Sequence, residues 1–459
     1  MRISRHLLPL QGPSGARRVH YRRCGQGPAL LMVHQSPRSS AEYTALMQQW
    51  GQHFTCIAPD TPGFGQSDPL GLVAPEIADY ADALAAFVRA LDLAPVAAYG
   101  FHSGGIILVT ALKRHPKLFR ALAIGGYAVW TDAEMRLFGE RYLPPLVPQP
   151  YGEHLAWLWN RMLEQSWFFP WFDQRADARL SVAHADVARI HAAVMEMLDA
   201  GDAYRLGYGA VLRAPRDIPP PATRGPPVRI TAYRADPLCA HIERLGAMPA
   251  NWEAFAVETP ADHQAASLEF LLGHRDGTAP PVIEDAGGGF LPVRSPGFDG
   301  LIHWAGTQGA DMLHLHPPGA ELSPPRPGAL AIDLPGHGHS DGWRHAPAPE
   351  DWFALVEVVR MALGARTIVW PPLPVGEPDR LYPDLSPDRF GAHLHRAWGI
   401  ARASLLFSPW YEADASHAIP FDPQALKPDQ LARAARARLR APSARSWHTA
   451  LSRREGHQE

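Results

Sequence analysis

The stretch Tyr99-Gly100-Phe101-His102-Ser103-Gly104-Gly105 decides how the chain is read. The apolar run Ala94 to Ala98 precedes it and reads as a buried strand. Ile106 to Leu112 follows it and reads as a buried helix. A strand that turns sharply into a helix presents one side chain at the top of the turn. Such a turn is strained and tightly packed, so it takes small residues two before and two after that side chain. Gly100 and Gly104 meet this spacing about His102.

Outward from this turn, the first half alternates strands and helices. Residues 3–9 and 17–23 read as antiparallel strands joined by a turn at Gln11-Gly12-Pro13-Ser14-Gly15. Ala29 to Val33 is a continuous apolar run, as expected of a strand buried on both faces, and ends in His34-Gln35-Ser36-Pro37. Phe54 to Ala58 is a second such strand, ending in Asp60-Thr61-Pro62-Gly63-Phe64-Gly65-Gln66-Ser67-Asp68. Pro75-Glu76 opens a helix with Ile77, Tyr80, Leu84, Phe87, Val88 and Leu91 at helical spacing. Ala121 to Ile124, Val228 to Tyr233 and Phe255 to Val257 read as later strands. The alternation predicts an α/β fold with a mostly parallel sheet covered on both faces.

Three segments in this order, HQSP at 34–37, DTPGFGQSD at 60–68 and GFHSG at 100–104, resemble the α/β-hydrolase superfamily. DTPGFGQSD is similar to the D-x-P-G-x-G-x-S segment of the branch with epoxide hydrolases, haloalkane dehalogenases and C–C bond hydrolases. The resemblance covers most of residues 1–275 and implies an α/β-hydrolase fold with a helical cap over the site. His102 then stands where a hydrolase usually places Ser, Asp or Cys. Asp236 and His263 occupy the positions of the catalytic acid and the catalytic His, in the chain order that this fold uses. The backbone N–H groups of Ser36 and Ser103 are the expected oxyanion donors. Gln35 falls where relatives often carry Gly, so its side chain crowds or lines the pocket.

Residues 132–213 interrupt the sheet pattern and correspond to the cap. They are helical and aromatic, with Trp157, Trp159, Trp167, Phe168, Phe169, Trp171 and Phe172. Such rings either line an apolar substrate pocket or pack the cap on the body. Gln35, Phe101, Trp159, Trp167 and Trp171 are the candidate pocket residues. Ala214 to Pro227 is proline-rich and reads as a linker back to the sheet.

Residues 285–459 repeat parts of the first half. Ala331-Ile332-Asp333-Leu334-Pro335-Gly336-His337-Gly338-His339-Ser340-Asp341 repeats Ala58 to Asp68, and Leu315-His316-Pro317 stands for the HQSP segment. Pro349-Glu350 opens a helix, and Thr367 to Trp370 is a strand that runs into Pro371-Pro372-Leu373-Pro374 with no sharp turn. Phe390-Gly391-Ala392-His393-Leu394 matches Tyr151-Gly152-Glu153-His154-Leu155, and Trp398 matches Trp159. This predicts a truncated, degenerate second hydrolase-like copy over 285–425 that lacks chemistry. Its half sheet leaves an edge that docking on the first half, or on another chain in a homo-oligomer, would cover. Residues 426–459 read as a basic, solvated helix with a frayed tail.

The totals are those of an ordinary folded protein, with 459 residues and a formal net charge of −3, so they suggest neither nucleic acid nor a membrane as partner. No apolar run reaches about 18 residues and no signal peptide is visible, which makes the cytoplasm the default location. The three cysteines are far apart and fit no disulfide or metal pattern. His314, His316, His337 and His339 lack a carboxylate at ligand spacing, so no metal and no cofactor is expected.

The expected function is an α/β-hydrolase-like enzyme acting on a small, largely apolar molecule, by ester, lactone, epoxide or C–C bond hydrolysis. At the turn, His102 is open to three roles: direct attack, general-base action on water with His263, or inert filling of the pocket. The alternatives are a binding or scaffold protein on a dead hydrolase fold, or a cofactor-free lyase or decarboxylase.

Overall fold

The structure, a computed structural model, describes residues 1–12, 15–283 and 287–456. The expected turn at Pro13 and Ser14 lies outside the described residues. Two compact units are present. One is Met1–Val147 with Asn160–Glu284, and the other is Pro148–Trp159 with Asp285–Glu459.

The first unit holds eight strands: β1 Ser4–Gly12, β2 Gly15–Gly25, β3 Ala29–Val33, β4 Thr55–Pro59, β5 Val96–Phe101, β6 Phe119–Gly125, β7 Val228–Tyr233 and β8 Trp252–Val257. Their order is β1-β2-β4-β3-β5-β6-β7-β8. β2 runs antiparallel to β1 and β4, and the rest of the sheet is parallel. The middle strands are apolar on both faces because helices cover both. On one face the helix Ile77–Ala90 buries Tyr80, Leu84, Phe87 and Val88, while the helix Ser103–Arg114 is buried nearly throughout. Residues between β6 and β7 form the helices Asp132–Arg141, Glu153–Gln165, Val187–Ala200 and Tyr204–Leu212. Strand ends carry the functional segments, because in a parallel sheet every C-terminal end opens on the same edge.

In the second unit, β9 Gly288–Ser295, β10 Phe298–Gly306, β11 Met312–His314, β12 Ala329–Ile332 and β13 Thr367–Val369 form a sheet of order β13-β11-β12-β10-β9. That is the order and direction of β5-β3-β4-β2-β1. Among the described residues no strand follows β13.

The loop after β4 and the loop after β12 are held by the same bonds. His20 Nδ1 lies 2.8 Å from Asp60 Oδ2, and His303 Nδ1 lies 2.8 Å from Asp333 Oδ2. The backbone N–H of His20 donates to Ser67 Oγ at 2.9 Å, and that of His303 donates to Ser340 Oγ at 2.8 Å. Asp68 caps the N–H of Arg18, and Asp341 caps that of Leu301. Gly65 and Gly338 have φ of +54° and +50°, and a Cβ on either would fall within 2.1 or 2.3 Å of the buried aspartate it faces. Only glycine meets both demands.

The C-terminal residues differ from the solvated, frayed segment expected. They form the helices Pro428–Leu439 and Ala444–Gly456. Leu431, Ala435, Ala450, Leu451 and Trp447 are buried, so the arginines flank an apolar stripe rather than define a solvated face. The Trp447 ring lies 5.1 Å from that of Trp352 and 6.1 Å from that of Trp370, and its Nε1 donates to His316 O at 3.2 Å. No helix among the described residues is long and apolar enough to cross a membrane. Nor does any group of three or more His, Cys, Asp or Glu side chains among them converge as metal ligands would.

Candidate active site

The sharp turn is built as its glycines require. His102 has φ +47° and ψ −111°, a strained backbone for a residue with a Cβ. A Cβ on Gly104 would stand 1.9 Å from Val33 O, and one on Gly100 would stand 2.7 Å from Gly104 C. The His102 N–H donates to Gly125 O at 2.7 Å, and its own C=O accepts the first bond of the following helix from Ile106.

Asp236 follows β7 and is 3 % exposed. His102 Nε2 lies 3.0 Å from each of its two carboxylate oxygens. Oδ1 also accepts from the backbone N–H of Leu238 at 2.8 Å. Burial alone would raise the carboxyl pKa, but the adjacent His102 and the Leu238 N–H outweigh it and hold it below its ordinary value. With a carboxylate on Nε2, that nitrogen carries the proton and Nδ1 keeps its lone pair. Gly126, φ +59°, passes beneath the pair, and a Cβ there would meet both His102 and Asp236 within 2.9 Å.

His263 does not join them. Its Nδ1 lies 2.7 Å from Thr231 Oγ1 and its Nε2 lies 2.9 Å from Tyr99 Oη, so neither ring nitrogen is left for Asp236. The reason is where its helix begins. Thr259 caps Pro260–Gly273 through Asp262, which sets His263 inside the first turn, facing the sheet. It is 2 % exposed, and burial pushes its pKa down to about 4, against a smaller upward pull from Asp236. It is a neutral core histidine at ordinary pH.

The expected oxyanion pair is also altered. The Ser36 N–H donates to Ser103 Oγ at 3.0 Å, so that donor is engaged. The Ser103 N–H heads the helix Ser103–Arg114, where first-turn amides have no partner within the helix. Gln35 is pinned by Glu42, which accepts from its backbone N–H at 2.7 Å and from its side-chain amide at 2.9 Å.

His102, Ser103, Ser36 and Gln35 open on a cavity of about 160 Å³. Its wall is mostly apolar, with Trp130, Phe138, Tyr142, Phe169 and Tyr208. A cavity of roughly 150 Å³ holds a benzene-sized molecule. Of the rings expected here, none of Phe101, Trp159, Trp167 and Trp171 lines it. Phe101 stacks on His102 at 4.1 Å. Trp167 and Trp171 spend their indole N–H groups on His184 O and Tyr142 O, within the segment between β6 and β7. Trp159 belongs to the second unit, where its Nε1 donates to Arg389 O at 3.1 Å. Phe138 on the helix Asp132–Arg141 and Tyr142, which caps its C-terminal end, were legible as an i, i+4 aromatic pair. Trp130 was legible as a residue just past the β6 end.

Residues 28–141 match the family described as the alpha/beta hydrolase fold. A 2-(acetamidomethylene)succinate hydrolase of Mesorhizobium japonicum is 30% identical over 131 residues, which cover 28% of this chain and 47% of that protein. Haloalkane dehalogenase 2 of Mycobacterium bovis is 29% identical over 113 residues, covering 25% and 40%. The chain thus spans less than half the length of these curated relatives. Among solved structures, a hydrolase from Pseudomonas aeruginosa aligns at 20% identity with a TM-score of 0.46, over 58% of this chain and 98% of that one. The strand order, the glycine-flanked turn and this sequence match together give the first unit an α/β-hydrolase fold.

Proposed function

We propose that the first unit is a hydrolase-type enzyme for a small, largely apolar molecule, with His102 as general base and Asp236 as the group that orients it. One observation carries this reading: a His on the tip of the strained turn, bonded through Nε2 to a buried carboxylate and facing an aromatic cavity. The relatives named as hydrolase and dehalogenase support the same class.

In this reading His102 Nδ1 removes a proton from water as the water oxygen bonds to the substrate's electrophilic carbon. The imidazolium that forms is stabilised by Asp236. The electron pair displaced from the carbon goes to oxygen, where the Ser103 N–H and the helix N-terminus oppose the charge. The leaving group departs with the proton from His102, which restores the base.

The test is a panel of small esters, lactones and epoxides assayed with the wild type and His102→Ala. Turnover that vanishes in the variant supports the reading. Turnover that persists unchanged overturns it.

A second reading, a binding protein on a hydrolase fold without turnover, draws on the engaged His263 and Ser36. Ligand-induced rises in melting temperature with no turnover across the panel would favour it.

We also propose that residues 285–425 descend from a truncated second copy and do no chemistry. The shared strand order and the paired His–Asp–Ser networks support this. His316 or His337 substitutions should leave turnover unchanged.

A further inference from the structure

Arg161 lies on the helix Glu153–Gln165, within the cap part of the first unit, and is 1 % exposed. One nitrogen is satisfied: Nη1 donates to Gln165 Oε1 at 2.9 Å and lies 3.1 Å from Met162 Sδ. The other two, Nε and Nη2, are buried with no partner among the described residues. Among the described residues no carboxylate reaches the guanidinium. It lies 5.4 Å from the Trp171 ring centroid and 5.7 Å from that of Tyr204.

A buried cation without a counter-charge is costly, and native proteins rarely leave one so. Which two nitrogens are open also matters. Nε and Nη2 form one edge of the guanidinium, whose two parallel N–H groups fit the two oxygens of a carboxylate. The chain uses that edge in this way elsewhere. Arg114 sets Nε and Nη2 on the two oxygens of Asp82, and Arg360 sets the same pair on those of Glu357. In Arg161 the edge is buried and takes no partner among the described residues. It is also next to the cavity, because Gln165, the residue that holds Nη1, lines the wall.

We propose that the Nε–Nη2 edge of Arg161, reached past Gln165, binds a carboxylate of the molecule that occupies the cavity. This deepens the hydrolase reading and rests on it only for the word substrate. The substrate class becomes a small apolar acid, with its anionic end on Arg161 and its reacting carbon at His102. Gln165 sits between the two and sets how far a short acid must extend. Glu164 is the rival occupant. Its Oε2 is likewise buried without a partner among the described residues, three residues further along the same helix.

The test compares acids with their neutral amides: butyrate with butyramide, benzoate with benzamide, and 3-phenylpropanoate with 3-phenylpropanamide. Binding is read by calorimetry and by the shift in melting temperature. The full chain is used as wild type, Arg161→Met, Arg161→Lys, Gln165→Leu, Glu164→Gln and His102→Ala, with inorganic phosphate and chloride as separate arms.

At least one acid should bind the wild type tenfold or more tightly than its amide. Arg161→Met should erase that preference, and Arg161→Lys should keep part of it. Free Arg161→Met should melt no lower than the wild type, since a lone buried charge has gone. His102→Ala should keep the acid preference, which separates this proposal from the catalytic one. Should Arg161→Met fail to fold, loss of the preference in Gln165→Leu serves instead.

Three results overturn the proposal. One is that no acid binds better than its amide. Another is that a folded Arg161→Met keeps the preference. The third is that phosphate and chloride bind as well as every acid, which makes the edge an unselective anion site. A Glu164→Gln variant that melts lower, together with no acid preference, would give the edge to Glu164.

Discussion

Asp236 accepts its hydrogen bond from His102, the residue at the tip of the turn, with both carboxylate oxygens 3.0 Å from Nε2. A carboxylate at the end of β7 that meets the turn residue directly removes any intermediate His from the relay. The first prediction follows from this pair. Asp236→Asn replaces an obligate acceptor with a group that can also donate, which lets His102 take the wrong tautomer. Turnover should fall between about 10²- and 10⁴-fold. Circular dichroism and melting temperature should change far less. Retention of most activity in Asp236→Asn would leave His102 without its proposed support.

His263 gives the second prediction, on pH. Its pKa in the fold is about 4, below the ordinary histidine value of about 6.5, because burial disfavours the charged ring. The unfolded chain therefore takes up this proton first as pH falls. Stability from a neutral His263 is fully present above about pH 6.5 and is lost as pH drops towards 4, by up to about 3 kcal/mol. His263→Gln should be less stable at pH 7 and show a flatter stability profile between those limits. Denaturant titrations at several pH values test this. An unchanged slope in the variant would place the acid sensitivity elsewhere. Turnover per folded molecule should survive in His263→Gln.

Much of this site could be read from the residues. Gly100 and Gly104 mark the turn through their spacing, since the backbone at each admits no Cβ. Asp236 could be placed because it follows an apolar run long enough to be a strand. Which His it meets depends on a helix start. The Thr259 to Asp262 capping pattern was available to show that His263 falls inside the first turn, not in the loop before it. The cap was harder. Trp159 is buried, and Trp167 and Trp171 are half-buried. Aromatic content says that all three pack on something, but not on what. That depends on tertiary packing which no local period encodes. Arg161 was not legible at all, because nothing in a sequence distinguishes a buried unpaired arginine from a solvated one.

Ser103 carries the third prediction. Its Oγ holds the Ser36 N–H, so Ser103→Ala releases a second donor towards the cavity. If the base is His102, turnover in Ser103→Ala should stay within a few-fold of the wild type or rise. Loss of activity, with an adduct on Ser103 in mass spectrometry of the wild type, would make Ser103 the nucleophile.

Trp447 gives the fourth. It is wholly buried between Trp352 and Trp370 in the second unit. Trp447→Ala removes a large ring from a packed site and should cost about 3–5 kcal/mol. Hydrogen exchange should accelerate in the helix Pro349–Leu363, which Trp447 covers through Trp352. Unaltered exchange there would return residues 444–456 to the solvated tail that their arginines suggest.

The last prediction concerns a reciprocal contact inside the second unit. The Trp159 ring lies edge-on to His393 at 5.2 Å and against Gly391, while the Trp398 ring lies edge-on to His154 at 5.1 Å and against Gly152. Gly391 has φ +72° and Gly152 has φ +81°, and a Cβ on them would come within 2.5 and 2.9 Å of the opposing indole. Each segment thus offers a glycine and a His to the other's Trp, as two equivalent surfaces do across a two-fold axis. The arrangement makes residues 148–159 part of the second unit's core although they precede it by more than a hundred positions. Trp159→Ala should therefore lower amide protection in the helix Ala392–Ala403 more than in β5, β6 or β7. Gly391→Ala, strained in backbone and blocked by an indole, should act in the same direction. Trp159→Ala and His393→Ala should be non-additive in a double-mutant cycle, with a coupling of about 0.5–1.5 kcal/mol. Additive effects would deny the edge contact, and protection lost first in β5 to β7 would assign Trp159 to the other unit.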